Sequence, residues 1–146
     1  MFDMMIKKSP WISIFNSGGC KGCGLECIML ISPKYDIERF GCLLKPSPRH
    51  ADILLVTGVA TKQAKARLKK VYSQMAPNKR VLAVGSCAIS GGIFRDAYNA
   101  DKGITNTIPA DYYVPGCPPK PEAIIHALLK TLGDLDRRKK SKVRKI

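Results

Sequence analysis

The sequence predicts an α/β domain built on a parallel sheet, and three observations carry that expectation. Short runs of β-branched and leucine-rich residues alternate with helical patterns along most of the chain. Two of these runs, Ile53–Thr57 and Val81–Val84, are almost wholly apolar, which suits strands covered on both faces. Glycine closes most of the runs, where the chain must turn toward its next element. Alternation of this kind belongs to a sheet sandwiched by helices.

In chain order, Trp11–Phe15 reads as a first strand, ended by Ser17-Gly18-Gly19. Gly24–Ile31 reads as a helix that stops at Ser32-Pro33, because proline disfavours helical geometry in the residue before it. Ile37–Leu44 is expected to hold a second strand. After the Ile53–Thr57 strand, Thr61 can cap a helix over Lys62–Met75, with Ala64, Leu68, Val71 and Tyr72 on one stripe. Pro77-Asn78 breaks that helix, and Val81–Val84 follows as a strand ended by Gly85. Tyr112–Val114 is a further strand, ended by Pro115-Gly116. Pro121 then opens a last helix, Glu122–Leu132, which Gly133 is expected to close.

The length of 146 residues suits one domain, and a chain of this size buries roughly 68–70% of its unfolded surface without disulfide staples. The expected layout is an N-terminal extension over 1–10, the α/β domain over 11–133 and a basic tail over 134–146. Lys7 and Lys8 are followed by no long apolar run, so no signal peptide is read. No stretch reaches the roughly 18 apolar residues of a spanning helix. The chain is therefore expected in the cytosol, free or docked on a membrane complex.

Six cysteines are many for such a chain, and a reducing compartment disfavours disulfides, so a metal or redox role gains weight. Gly19-Cys20-Lys21-Gly22-Cys23 is a C-x-x-C framed by glycine, able to grip one centre from one tight turn. Alone it is a weak signal that admits a redox dithiol, zinc or iron–sulfur. Cys87 follows its strand by three residues and Cys117 follows its strand by three, each in a glycine-bearing turn. In an open parallel sheet, ligands collect beyond the carboxyl ends of the strands. Three loops thus deliver Cys20, Cys23, Cys87 and Cys117 to one edge. Four thiolates are the usual ligands of a 4Fe–4S cluster. A structural zinc also takes four, but commonly from two tight knuckles, and here one pair is close while the other two stand apart.

Cys27 falls one turn after Cys23 and can point toward the site; it and Cys42 read as small buried apolar side chains. Glu26 is either a carboxylate beside the cluster, relaying protons or touching a partner, or a favourable charge near a helix N-terminus, worth about 0.3–1 kcal/mol. Arg49 and His50 precede a buried strand and can donate hydrogen bonds near the site, while His126 on the last helix reads as structural.

The formal net charge is +14, and seven of the 25 basic residues lie within Arg137–Lys145; without those seven the chain still carries +7. Such a tail is either simply solvated or meets nucleic acid, anionic lipid or an acidic partner. No nucleic-acid-binding motif accompanies it, and no nucleic-acid partner is expected.

Five segments together resemble a known family: Gly19–Glu26, Ser32–Gly41, Pro48–Gly58, Gly85–Phe94 and Val114–Glu122. They are similar to the small subunit of energy-converting, membrane-bound nickel–iron hydrogenases, a family that includes the complex I subunit carrying the terminal cluster. The resemblance spans about Ser9 to Leu132. It implies a flavodoxin-like fold, with helices on both faces of the sheet and one 4Fe–4S cluster held by Cys20, Cys23, Cys87 and Cys117. Glu26 matches the family's acidic position after the first cysteine pair. The implied partners are a nickel–iron large subunit, a ferredoxin-like multi-cluster subunit, membrane ion-translocating subunits and soluble ferredoxin as donor, at the cytoplasmic face of the membrane. In the complex I branch the first two ligands are adjacent, whereas Lys21 and Gly22 separate them here, as in the hydrogenase branch. Quinone- and sulfur-reducing complexes are the nearest alternatives, and a zinc-stabilised binding module is the alternative from another class.

Overall fold

The computed structural model describes residues 9–143, with side chains described as far as Gly133. Five parallel strands form one sheet: β1 (Trp11–Asn16), β2 (Leu43–Leu44), β3 (Ile53–Thr57), β4 (Arg80–Val84) and β5 (Tyr112–Val114). Their spatial order is β2-β1-β3-β4-β5, the order of the flavodoxin-like doubly wound sheet. The register aligns Ile12 with Ile53, Leu55 with Leu82, and Val84 with Val114.

Side chains alternate across β3, and that alternation builds two cores. Ile53 and Leu55 pack with Leu82, Val84, Val114 and the helical residues Cys27, Leu30, Ile124 and Leu128. Leu54 and Val56 pack on the other face with Val81, Ala83, Leu68, Ala88 and Ile104. Helices α1 (Gly22–Met29) and α4 (Pro121–Val143) therefore cover one face. Helices α2 (Lys62–Gln74) and α3 (Ser86–Ser90) lie on the other. The Thr61 hydroxyl caps α2 by accepting from the Ala64 N–H at 3.2 Å, as expected from its position.

The structure differs from the sequence expectation at several places. Ile37–Phe40 is a 3-10 turn rather than strand, bracketed by Asp36 and Gly41, both with positive φ, so β2 shrinks to Leu43–Leu44. Gly133 does not close the last helix, which runs on to Val143; a Cβ on Gly133 would meet nothing within 4 Å. The side chains of the basic tail and residues 1–8 of the expected N-terminal extension lie outside the described residues. Arg49 and His50 sit at the amino end of β3, the edge opposite the cysteines, where His50 meets the Trp11 ring edge-on at 5.9 Å. They do not serve the candidate site. Among the described residues, no helix is long and apolar enough to cross a membrane.

Candidate metal centre

From β1 the chain crosses to β2 on one side, and from β3 it proceeds to β4 and β5 on the other. The crevice at such a reversal is where doubly wound folds place their ligands. Here the loops after β1 and β3 are laced together. The Ser17 N–H and hydroxyl both donate to the Thr57 carbonyl at 2.9 Å, and the Thr61 hydroxyl donates to the Ser17 carbonyl at 3.2 Å. Gly58, with φ of +77°, sits so close to Gly18 that a Cβ would overlap the Gly18 carbonyl oxygen.

The loops after β4 and β5 are joined in the same way. The Gly116 carbonyl accepts from the Ser86 N–H at 2.9 Å and from the Ser86 hydroxyl at 3.1 Å. The Gly85 N–H donates to the Val114 carbonyl at 2.8 Å. Cys87 follows Ser86 and Cys117 follows Gly116, so these bonds hold the two cysteines to one edge. Gly85 backs directly onto Cys23: a Cβ there, at φ of +90°, would run into the Cys23 sulfur. A Cβ on Gly92 would stand 3.0 Å from the Cys87 sulfur.

A recess opens between these loops, lined by residues 18–24, Thr57, Gly58 and Cys87. Cys20 and Cys117 are exposed, Cys23 is half-buried, and Cys87 is 8% exposed. Burial pushes the Cys23 thiol up, and Cys87, Cys20 and Cys117 push it further the same way. Burial likewise raises Cys87, reinforced by Cys117 and Cys20, while the Ile93 N–H acts downward on it. Cys23 and Cys87 thus each lie within electrostatic reach of Cys20 and Cys117. As thiolates they repel, and a bound cationic centre would relieve that repulsion. Among the described residues, no three His, Cys, Asp or Glu groups converge tightly enough for one metal ion. Three of the thiols, Cys20, Cys23 and Cys87, line the recess, and four cysteines are a donor set that a 4Fe–4S cluster or a structural zinc would take.

The other expected site residues separate cleanly. Cys27 and Cys42, each 1% exposed, belong to the core beneath α1 and α4. Glu26 is half-buried on α1, and no acidic residue occupies the first turn of that helix. Its placement therefore does not support the simple helix-terminus reading. Lys21, between the first two cysteines, adopts a left-handed conformation with φ of 63°, an arrangement that costs roughly 1–2 kcal/mol outside glycine. His126 is exposed on α4. Sequence reasoning missed Ser86 as the tie between two loops, the Ile93 N–H at Cys87, and Thr57. The one signal for Thr57 in the sequence is its place as the polar end of an otherwise apolar strand, immediately before Gly58.

Burial alone pushes the Cys42 thiol from an ordinary value near 9 up to about 11. The folded state then holds this proton more tightly than the unfolded chain. The resulting stability is complete below pH 9 and is lost as the pH climbs through 11. Denaturant midpoints are expected to fall over that window in wild type and to fall less in Cys42→Ala, measured between pH 8 and 11.

The family model for the NADH ubiquinone oxidoreductase 20 Kd subunit matches residues 20–131, from the first cysteine of the rim to within α4. The chain belongs to the 20 Kd subunit family. Among its relatives is a protein of Pyrococcus furiosus named as a probable membrane-bound hydrogenase subunit mbhJ, 46% identical over 94% of this chain and 83% of that protein. An NADH-quinone oxidoreductase subunit of Carboxydothermus hydrogenoformans is 46% identical over 89% of this chain and 77% of its own length. A solved chain of the membrane-bound sulfane sulfur reductase, an archaeal respiratory membrane complex, superposes with a TM-score of 0.81 at 43% identity, covering 93% of this chain and 75% of that one. This member of the 20 Kd subunit family is accordingly of the oxidoreductase-subunit class.

Proposed function

We propose that the chain is an electron-transfer subunit that holds one 4Fe–4S cluster through Cys20, Cys23, Cys87 and Cys117. The observation that carries this reading is the gathering of four free thiols from three loops at the carboxyl edge of one parallel sheet. When bound, such a cluster accepts and passes on single electrons. The protein's part is to position the thiolates, exclude side chains from the recess with glycine, and bring the Ile93 N–H to Cys87. Exposed Cys20 and Cys117 leave one side of the site open toward a partner.

Leu25, Ile28 and Met29 are exposed on α1 beside Cys23, and Ile93 is exposed beyond Cys87. An apolar rim around a redox site suits burial against a larger subunit. Within the family, the spacing Cys20-Lys21-Gly22-Cys23 favours the hydrogenase branch over the quinone-reducing branch, as its resemblance implies. The partner is then a nickel–iron large subunit, with the cluster next to its metal site. Electrons arrive from ferredoxin through a ferredoxin-like multi-cluster subunit, and membrane subunits couple the flow to ion translocation. Glu26, half-buried beside Cys27, is placed to relay a proton or contact the large subunit. Residues 11–133 are proposed as the cluster-binding unit, and the basic segment 134–146 is proposed to meet anionic lipid or acidic neighbours at the cytoplasmic face of the membrane.

A second reading, a sulfur-reducing complex, is favoured by the likeness to the sulfane sulfur reductase chain. Purification of the chain with its native partners separates the two. Nickel in the complex with hydrogen evolution from reduced ferredoxin is expected. A nickel-free complex that reduces polysulfide instead would replace the hydrogenase assignment with the second reading.

A further inference from the structure

The strand β3 ends in a polar side chain with no partner. Thr57 is 1% exposed, and its hydroxyl oxygen has no hydrogen-bond partner. Its backbone carbonyl is already used by Ser17. Leaving a buried hydroxyl unpaired costs roughly 1–3 kcal/mol, so a buried orphan of this kind calls for an explanation. Alternation along β3 turns Thr57 toward the same face as Ile53 and Leu55, the face covered by α1. There its oxygen lies 3.7 Å from the position of a Cβ on Gly24, the residue directly after Cys23. Thr57 also lines the recess, together with Cys20, Cys23 and Cys87. A serine or threonine hydroxyl rotates freely to donate one proton. Sulfur at this site is the acceptor that the recess would provide.

We propose that Thr57 is a hydrogen-bond donor to the sulfur of the bound cluster, either a cluster sulfide or the Cys23 thiolate, and that it sets the reduction potential. Hydrogen bonds to the sulfurs are a recognised determinant of cluster potential. The reduced cluster carries one more negative charge than the oxidised one. A donor therefore stabilises the reduced form more and raises the potential. The proton stays on Thr57 throughout, and the step adds a single electron to the cluster. The inference rests on the cluster assignment proposed above.

The test is redox titration by EPR of the intact complex, carrying wild-type chain, Thr57→Val or Thr57→Ser. Valine keeps the shape and removes the donor, whereas serine keeps the donor. Thr57→Val is expected to shift the oxidised-to-reduced ratio about tenfold toward oxidised at fixed potential, a fall of about 59 mV in midpoint for one electron. Thr57→Ser is expected to stay near wild type. An exchangeable-proton coupling seen by deuterium ENDOR in wild type and serine is expected to vanish in valine. Full iron content with an unchanged midpoint in Thr57→Val would overturn the proposal and leave the cluster assignment standing. If Thr57→Val fails to load iron, loading by Thr57→Ser supports a need for the hydroxyl, and failure of both overturns it. A wild-type complex without iron in this chain would instead defeat the cluster assignment itself.

Discussion

Cys87→Ser is expected to strip the cluster from a chain that otherwise stays folded. Cys87 is the second residue of the short helix α3 and is 8% exposed, with its sulfur close against Gly92. A serine hydroxyl fits that space but is a poor ligand for iron. Iron is expected to drop from about four per chain to less than one. Secondary structure by circular dichroism is expected to be unchanged, because the loop remains tied through Ser86 to the Gly116 carbonyl. Cys42→Ser gives the opposite pattern. It places a hydroxyl in the apolar core, at a cost of about 1–3 kcal/mol, while leaving iron intact. Iron content and denaturant midpoint, measured on both variants, thus separate a ligand from a core cysteine. Equal iron in the two variants would remove Cys87 from the ligand set.

Gly58→Ala is expected to be the most damaging substitution that touches no cysteine. Residue 58 combines a φ of +77°, which L residues rarely adopt, with a Cβ position that overlaps the backbone carbonyl of Gly18. The obstruction is backbone, so no side-chain rotation relieves it. Strain at such a φ costs roughly 1–3 kcal/mol, and parting the β1 and β3 loops adds to it. A loss of about 3 kcal/mol or more is expected, a large share of the 5–15 kcal/mol that a domain of this kind has. Gly133→Ala supplies the contrast. It lies inside α4 with open space around its Cβ position, and is expected to gain about 0.5–1 kcal/mol. Urea midpoints of the two variants are expected to move in opposite directions. A neutral Gly58→Ala would contradict the close approach of the two loops.

Much of the fold was legible because local chemistry and tertiary role agree. Ile53–Thr57 and Val81–Val84 read as buried strands because residues of both faces are apolar, and the two cores receive alternate side chains from them. Thr61 read as a cap because few residues do that task as well. Ile37 is buried like a strand residue, yet Asp36 and Gly41 bend the chain into a 3-10 turn, and hydrophobicity alone does not distinguish the two. Gly133 carries only about a 1 kcal/mol helix penalty, which neighbouring Leu128, Thr131 and Leu132, all buried, can offset. The five-residue helix α3 is too short to leave a periodic signal. Strand order depends on pairings far apart in the chain and has no local signature. That Cys20, Cys23, Cys87 and Cys117 hold a cluster is the proposal made above; their placing in loops after strands was legible from their distances to strand ends. Thr57 was not, because its significance comes from an absent partner, and that appears only once α1 is laid over β3.

Iron, acid-labile sulfide and zinc content, together with low-temperature EPR of the anaerobically isolated complex, test the cluster assignment most directly. About four iron and four sulfide per chain are expected. A one-electron reducible signal that disappears in Cys117→Ser is expected with them. Zinc bound in this chain without iron or sulfide would contradict the assignment and turn attention to a zinc-stabilised binding module.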